Sequence, residues 1–225
     1  MFIVGHRGAR RVEPENTLRA VRAGMACADY VEVDVRLSHD GIPIVMHDSR
    51  LDRTTNGTGP VNEYTAKELK TLDAGRGEQI PTLEEVCSLV AGRCGLILEI
   101  KEPGSEDPVC SVLSRNMPEH LYIVSFHPES IVSVQTLLPG VKTGIIYGRA
   151  LADLPGAAAG LGVHAILMES ELLTLDLIME CRKRNLVTIS WTLNSPEEFR
   201  EAADLGIDGI VTDDPCRARH YFTAR

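Results

Sequence analysis

Two rhythms of apolar positions alternate along the chain. Short aliphatic runs recur as FIVG, YVEVDV, GLILEIK, LYIVSF, VKTGIIYG, HAILME, VTISWT and DGIVTD, and a stretch with helix-compatible spacing follows each. Strands alternating with helices predict a parallel sheet. Eight such units in 225 residues predict an α/β fold, a (β/α)8 TIM-type barrel, over an open doubly wound sheet, whose glycine-rich first turn is missing. One domain spanning residues 1–225 is expected at that length. Helix starts are marked by capping boxes at Thr65-Ala66-Lys67-Glu68 and Thr82-Leu83-Glu84-Glu85, and by Ser195-Pro196-Glu197-Glu198, where proline takes the first helical position. In PENTLRAV, Asn16 can cap the first helix or serve a site, and both readings stand at this level.

The alternation is interrupted once. EVDVRLSHDGIPIVMHD, from Glu32 to Asp48, reads as a strand, a tight Asp40-Gly41 turn and a returning strand. With a two-residue side-chain period, Val31, Val33, Val35 and Leu37 share one face, while Glu32 and Asp34 share the other. Between His47 and Pro81, DRTTNGTGP and TAKELKTLDAGRGEQ predict a small insertion after the second strand, at about 48–80. It is expected to be a loop with one short helix, of the kind that carries function at the carboxyl end of a barrel.

Functional side chains of such barrels come from the carboxyl ends of the strands. The first strand closes in His6-Arg7, and the second carries Glu32 and Asp34, with His47 returning through the hairpin. In the third, Ile97, Glu99 and Lys101 face the axis while Leu96, Leu98 and Ile100 face the helices. Each acid can be neutralised by a base, Glu99 by Lys101 for instance. Three carboxylates converging within ~4–6 Å, however, repel by a few kcal/mol per pair at an effective dielectric of about 20, and a divalent cation removes the conflict. An all-carboxylate set suits Mg2+ or Ca2+ better than zinc, with Mn2+ also admitted. His6 and His47 beside such an ion suggest paired acid–base catalysis, because imidazole titrates near neutrality. Arg7 and Lys101 would then hold phosphate oxygens. His39, His120, His127, His164 and His220 are read as turn, helix-end or packing residues. No P-loop, G-x-S-x-G elbow or H-E-x-x-H is present, which removes nucleotide-kinase and serine-hydrolase readings.

Charge narrows the partners. Lysine plus arginine at 23 against aspartate plus glutamate at 32 gives a formal charge of -9, which repels a nucleic-acid backbone or an anionic membrane surface, so neither is an expected partner. An anionic small molecule must be drawn in by local positive charge or a metal. The six cysteines form no C-x-x-C pair and are expected to be reduced, buried thiols. The opening MFIVGHRG shows no basic leader or cleavage site, and no run reaches membrane-spanning length; the cytoplasm is the expected location. Nothing in the pattern fixes an oligomeric state.

GHRGARRVEPENT from Gly5, VEVDV with Glu32 and Asp34, HDSRLDRTTNGTG from His47, IPTLEEV from Ile80 and LEIK with Glu99 and Lys101 together resemble the glycerophosphodiester phosphodiesterase family. Later echoes, WTLN from Trp191 and GIDGIVTDDP from Gly206, extend the resemblance over almost the whole chain. The combination in this order carries it, not any one motif. It implies a TIM-type barrel that hydrolyses small-molecule glycerophosphodiesters to sn-glycerol 3-phosphate and an alcohol, with Mg2+ or Ca2+ as cofactor. Residue by residue, it implies Glu32, Asp34 and Glu99 as metal ligands, His6 and His47 as the acid–base pair, and Arg7 and Lys101 as substrate contacts. Glu15 and Asn16 belong to the matched motif without a fixed role. Trp191 is similar to the family's aromatic near the substrate, against the alternative that it simply packs. Which histidine is the acid stays open, as does the first nucleophile, water or the glycerol 2-hydroxyl.

One departure from the family pattern matters. Only Arg76-Gly77-Glu78-Gln79 stand between LDAG and IPTLEEV, where many relatives carry a longer segment, so a low wall around the alcohol group and broad head-group tolerance are expected. A phospholipase-like activity on membrane lipids would need an apolar landing surface, and no basic amphipathic helix is visible. A noncatalytic diester-binding barrel would gain nothing from two proton-transfer groups.

Overall fold

The computed structural model describes residues 1–149 and 152–224. Every aliphatic run becomes a strand: β1 (Phe2–Gly5), β2 (Tyr30–Leu37), β4 (Gly95–Ile100), β5 (Leu121–Ser125), β6 (Lys142–Tyr147), β7 (Ala165–Glu169), β8 (Val187–Trp191) and β9 (Gly209–Thr212), with the short β3 (Pro43–Val45) after β2. The helices are α1 (Leu18–Met25), α2 (Ala66–Leu69), α3 (Leu83–Val90), α4 (Glu106–Arg115), α5 (Pro128–Leu137), α6 (Leu154–Gly160), α7 (Leu175–Lys183), α8 (Pro196–Leu205) and α9 (Pro215–Thr223). All strands but β3 pair in parallel, and the ring closes because β1 bonds to both β2 and β9. The result is the expected (β/α)8 barrel. Outside the ring, β3 pairs antiparallel with β2, setting Val45 opposite Val35 and Pro43 opposite Leu37 as the Asp40-Gly41 turn requires.

Strand alternation decides which side chains fill which layer. Val31, Val33 and Val35 on β2 and Leu96, Leu98 and Ile100 on β4 point outward and are buried against the helices. Val4, Ile97, Val124, Leu167, Ile189 and Val211 fill the barrel itself. Ile97 lies two residues before Glu99 on β4, so the apolar plug ends where the acids begin.

Local chemistry sets the helix starts. Thr65, Thr82 and Ser195 each form a reciprocal capping box, with Glu68, Glu85 and Glu198 respectively. The first helix is capped by Thr17, whose side chain accepts from the Ala20 N–H, which releases Asn16 for another role. Residues 48–80 are more ordered than a loop with one helix. Besides α2 they contain a short 3-10 turn at Val61–Glu63, and Leu51, Val61, Leu69 and Ile80 pack on Ile44 and Met46 of the hairpin. That cluster anchors the segment that delivers His47.

The expectation of six reduced thiols is corrected. Cys27 and Cys216 form a disulfide, while Cys87, Cys94, Cys110 and Cys181 are free. The bridged residues are 189 apart in sequence, yet ring closure sets the end of α1 beside the first turn of α9, with Cα atoms 4.9 Å apart, within bridging range. Cysteine usage therefore no longer argues for a reducing compartment. No helix among the described residues is long and apolar enough to cross a membrane.

Candidate active site

Parallel pairing of β2 with β4 sets Asp34 opposite Glu99, and Glu32 precedes Asp34 by two residues on the same face. All three are buried, and they offer carboxylate oxygens within 4.8 Å of one another. Burial, then the charges of Asp34 and Glu99, pushes Glu32 well above the ordinary carboxylate range. Burial and Asp34 likewise push Glu99 up to about 7. For Asp34, burial also opposes ionisation, but Lys101 and Arg7 outweigh it and hold this carboxyl below its usual value. Lys101 Nζ lies 3.3 Å from Asp34 Oδ1 and Arg7 Nε 3.5 Å from Asp34 Oδ2.

Ion pairing reaches Asp34 and Glu99 but leaves the cluster short of positive charge. Lys101 Nζ, 2.6 Å from Glu99 Oε1, is shared with Asp34, and Arg7 pairs with Asp34 through Nε while giving Glu32 its backbone N–H. Three crowded, buried acids sharing two cations fit a divalent cation. A hard ion with oxygens at about 2.0–2.6 Å on either side spans ~4–5 Å, which matches the spread of this triad.

The loop after β1 is pressed onto α1. A Cβ on Gly24 would lie 2.4 Å from Gly8 O, and one on Gly8, at φ +84°, would lie 2.4 Å from the Ala20 carbonyl carbon. The loop's turn puts Arg7 in the left-handed region at φ 49°, and its N–H donates to Glu32 Oε2 at 2.7 Å. The preceding residue, His6, has Nδ1 2.7 Å from Asp213 Oδ1. Asp213 also pairs with Arg10 Nε at 3.0 Å and accepts from Asn194 Nδ2 at 3.0 Å. On the hairpin side, His47 Nδ1 is 2.6 Å from Asp48 Oδ1. Each imidazole is therefore held at Nδ1 by a carboxylate, which leaves Nε2 for proton exchange. Burial lowers the pKa of both; on His6 Asp213 works against it, and on His47 Asp34 and Asp48 do.

The eight residues given catalytic, substrate or metal roles from the sequence line one cavity of about 310 Å³: His6, Arg7, Glu32, Asp34, His47, Glu99, Lys101 and Trp191. Asn16 serves the site rather than the helix, since its Nδ2 donates to Asp34 Oδ2 at 2.8 Å. Glu15 accepts from Arg7 Nη1 at 2.6 Å. Trp191 packs edge-on against Phe126, with ring centroids 6.0 Å apart, and its buried Nε1–H has no hydrogen-bond partner among the described residues. His127, at the start of α5, lies 3.7 Å from Glu129 and is not part of the lining. Sequence reasoning missed Asp48, Asp213, Asn194, Arg10 and Phe126. Asp213 and Phe126 directly follow β9 and β5, so asking what stands just past every strand end, not only the first three, would have found them.

Fold and site together define a class, an α/β barrel whose strand ends gather acids, imidazoles and cations around one cavity. Comparison with known proteins narrows it. Residues 6–217 match the glycerophosphoryl diester phosphodiesterase family, and the chain belongs to that family. It is 34% identical over 229 residues to a glycerophosphodiester phosphodiesterase of Caldanaerobacter subterraneus, covering 95% of this chain and 94% of the relative. It is similar to the crystal structure of a glycerophosphodiester phosphodiesterase from Agrobacterium tumefaciens, at 31% identity and a TM-score of 0.87, over 97% of this chain and 99% of that one. An Oleispira antarctica phosphodiesterase, solved in complex with the product sn-glycerol-3-phosphate, is similar at 26% identity and a TM-score of 0.94, over 99% of this chain and 97% of that one.

Proposed function

We propose that this protein hydrolyses glycerophosphodiesters to sn-glycerol 3-phosphate and an alcohol, with a divalent cation and two histidines that exchange protons. The observation that carries the reading is a pair of imidazoles, each held by an aspartate, lining the cavity that also holds the acidic triad. The substrate class rests on the family and on the product seen in the Oleispira enzyme. Glu32, Asp34 and Glu99 would hold Mg2+ or Ca2+, and Mn2+ would accept the same oxygens. Bound there, the ion would polarise a phosphoryl oxygen and neutralise charge.

The chain's own groups do the rest. Arg7 and Lys101 hold the nonbridging oxygens and offset the charge that grows as the nucleophile adds. One histidine takes a proton from that nucleophile at Nε2, and the other returns one to the departing alcohol oxygen. The unpartnered Trp191 Nε1–H is a donor for a substrate oxygen. The test is release of glycerol 3-phosphate from glycerophosphocholine, with and without chelator, beside His47→Ala. Chelation should abolish turnover and added Mg2+ or Ca2+ restore it, while His47→Ala should lower the rate by ~10²–10⁴. Turnover indifferent to both would reject the mechanism.

A further inference from the structure

We infer that Arg53, contributed by the insertion, is a positioning residue that ties the carboxylate holding His47 to the carboxylate holding Arg7. The inference rests on the roles just proposed for His47 and Arg7. Asp48 leaves the hairpin and Glu15 the loop after β1, yet one guanidinium bonds both. Arg53 Nε and Nη2 donate to Asp48 at 2.6 and 3.0 Å, and Nη1 and Nη2 donate to Glu15 at 2.9 and 2.7 Å. Each acid is gripped in a two-pronged contact, and a continuous chain runs His47, Asp48, Arg53, Glu15, Arg7.

Two physical consequences follow. The spacing between a proton-transfer group and a phosphate-binding group is set by one rigid planar cation rather than by two independent loops. Arg53 also shares the negative charge of Glu15, which would otherwise fall on Arg7 alone and weaken the attraction of Arg7 for a phosphate. Lysine cannot take this place, since its donors radiate from one point and cannot form two parallel forks. A contribution of these contacts to fold stability is separable from positioning, because the insertion has its own apolar anchor and a merely structural role would lower Tm in step with activity.

The test compares Arg53→Met and Arg53→Lys with the wild type on glycerophosphocholine, all cation-saturated. Misplacement of about 1 Å at a reacting centre can cost ~10²-fold, so Arg53→Met should lower kcat/KM by roughly that factor, with kcat falling through His47 and KM rising through Arg7. Arg53→Lys should recover little of it. Millimolar guanidinium should restore the methionine variant where ammonium at equal ionic strength does not. In an Asp48→Asn, Glu15→Gln background the same substitution should cost almost nothing further. Full activity in Arg53→Met overturns the inference. So does a loss that guanidinium cannot reverse, that persists in the neutralised background or that tracks a lowered Tm. Retained activity in His47→Ala instead overturns the mechanism on which the inference depends.

Discussion

His6 and His47 are oriented by the same device, a carboxylate on Nδ1, and burial lowers the pKa of both, but two of the acids beside them shift the other way. Glu32 and Glu99 keep their protons to unusually high pH because burial and mutual repulsion disfavour the anions. A carboxyl with a raised native pKa stabilises the fold below its ordinary value, near 4.5, and that contribution is lost as pH rises through the native value, about 7 for Glu99. A cation competes with those protons and removes the repulsion. The increase in Tm produced by Mg2+ or Ca2+ should therefore be small at pH 5 and grow to on the order of 5 °C or more by pH 8. An increase independent of pH, read by thermal unfolding with and without chelator, would show that the ion binds elsewhere. Glu32, Asp34, Glu99, His6 and His47 were legible as types at strand ends. Lys101 beside Glu99 and Asp48 beside His47 lie within two residues of their partners, whereas Asp213 lies 207 residues from His6 and no local pattern links that pair.

At the scale of elements, the contact between α1 and the loop after β1 controls the site. In most helices Gly→Ala gains about 1 kcal/mol from propensity. At Gly24 the added carbon would meet Gly8 O at 2.4 Å, and backbone cannot rotate away as a side-chain end can. Gly24→Ala is expected to destabilise by ~1–3 kcal/mol and to lower kcat/KM as His6 and Arg7 are displaced. Thr82→Ala, which removes a cap at α3, should cost about 1 kcal/mol with turnover intact. Urea unfolding beside steady-state kinetics checks both, and normal activity in Gly24→Ala would show that the loop tolerates the shift. Strands and capping boxes could be read directly, since both depend on neighbours within a few residues. The choice between Asn16 and Thr17 as the cap of α1 could not. Both types cap well, and only Asp34, brought up by β2, claims Asn16.

For the whole molecule, the insertion matters by where it stops. Among the described residues, none between 48 and 80 lines the cavity, in keeping with the short Arg76–Gln79 connection. Glycerophosphocholine, glycerophosphoethanolamine and glycerophosphoglycerol should be turned over at kcat/KM values within roughly tenfold of each other, because a pocket discriminates only through contacts that differ between substrates. A hundredfold preference for one would reveal a wall from another quarter.

The sequence by itself determined where strands and helices fall, which faces are apolar, and that acids, imidazoles and cations stand at strand ends, because all of these follow from periodicity and chemistry within short windows. Only the tertiary structure decided that Asp213 holds His6, that Arg53 joins Asp48 to Glu15, and that Cys27 bonds Cys216. Those pairings depend on which distant segments become neighbours when the ring closes.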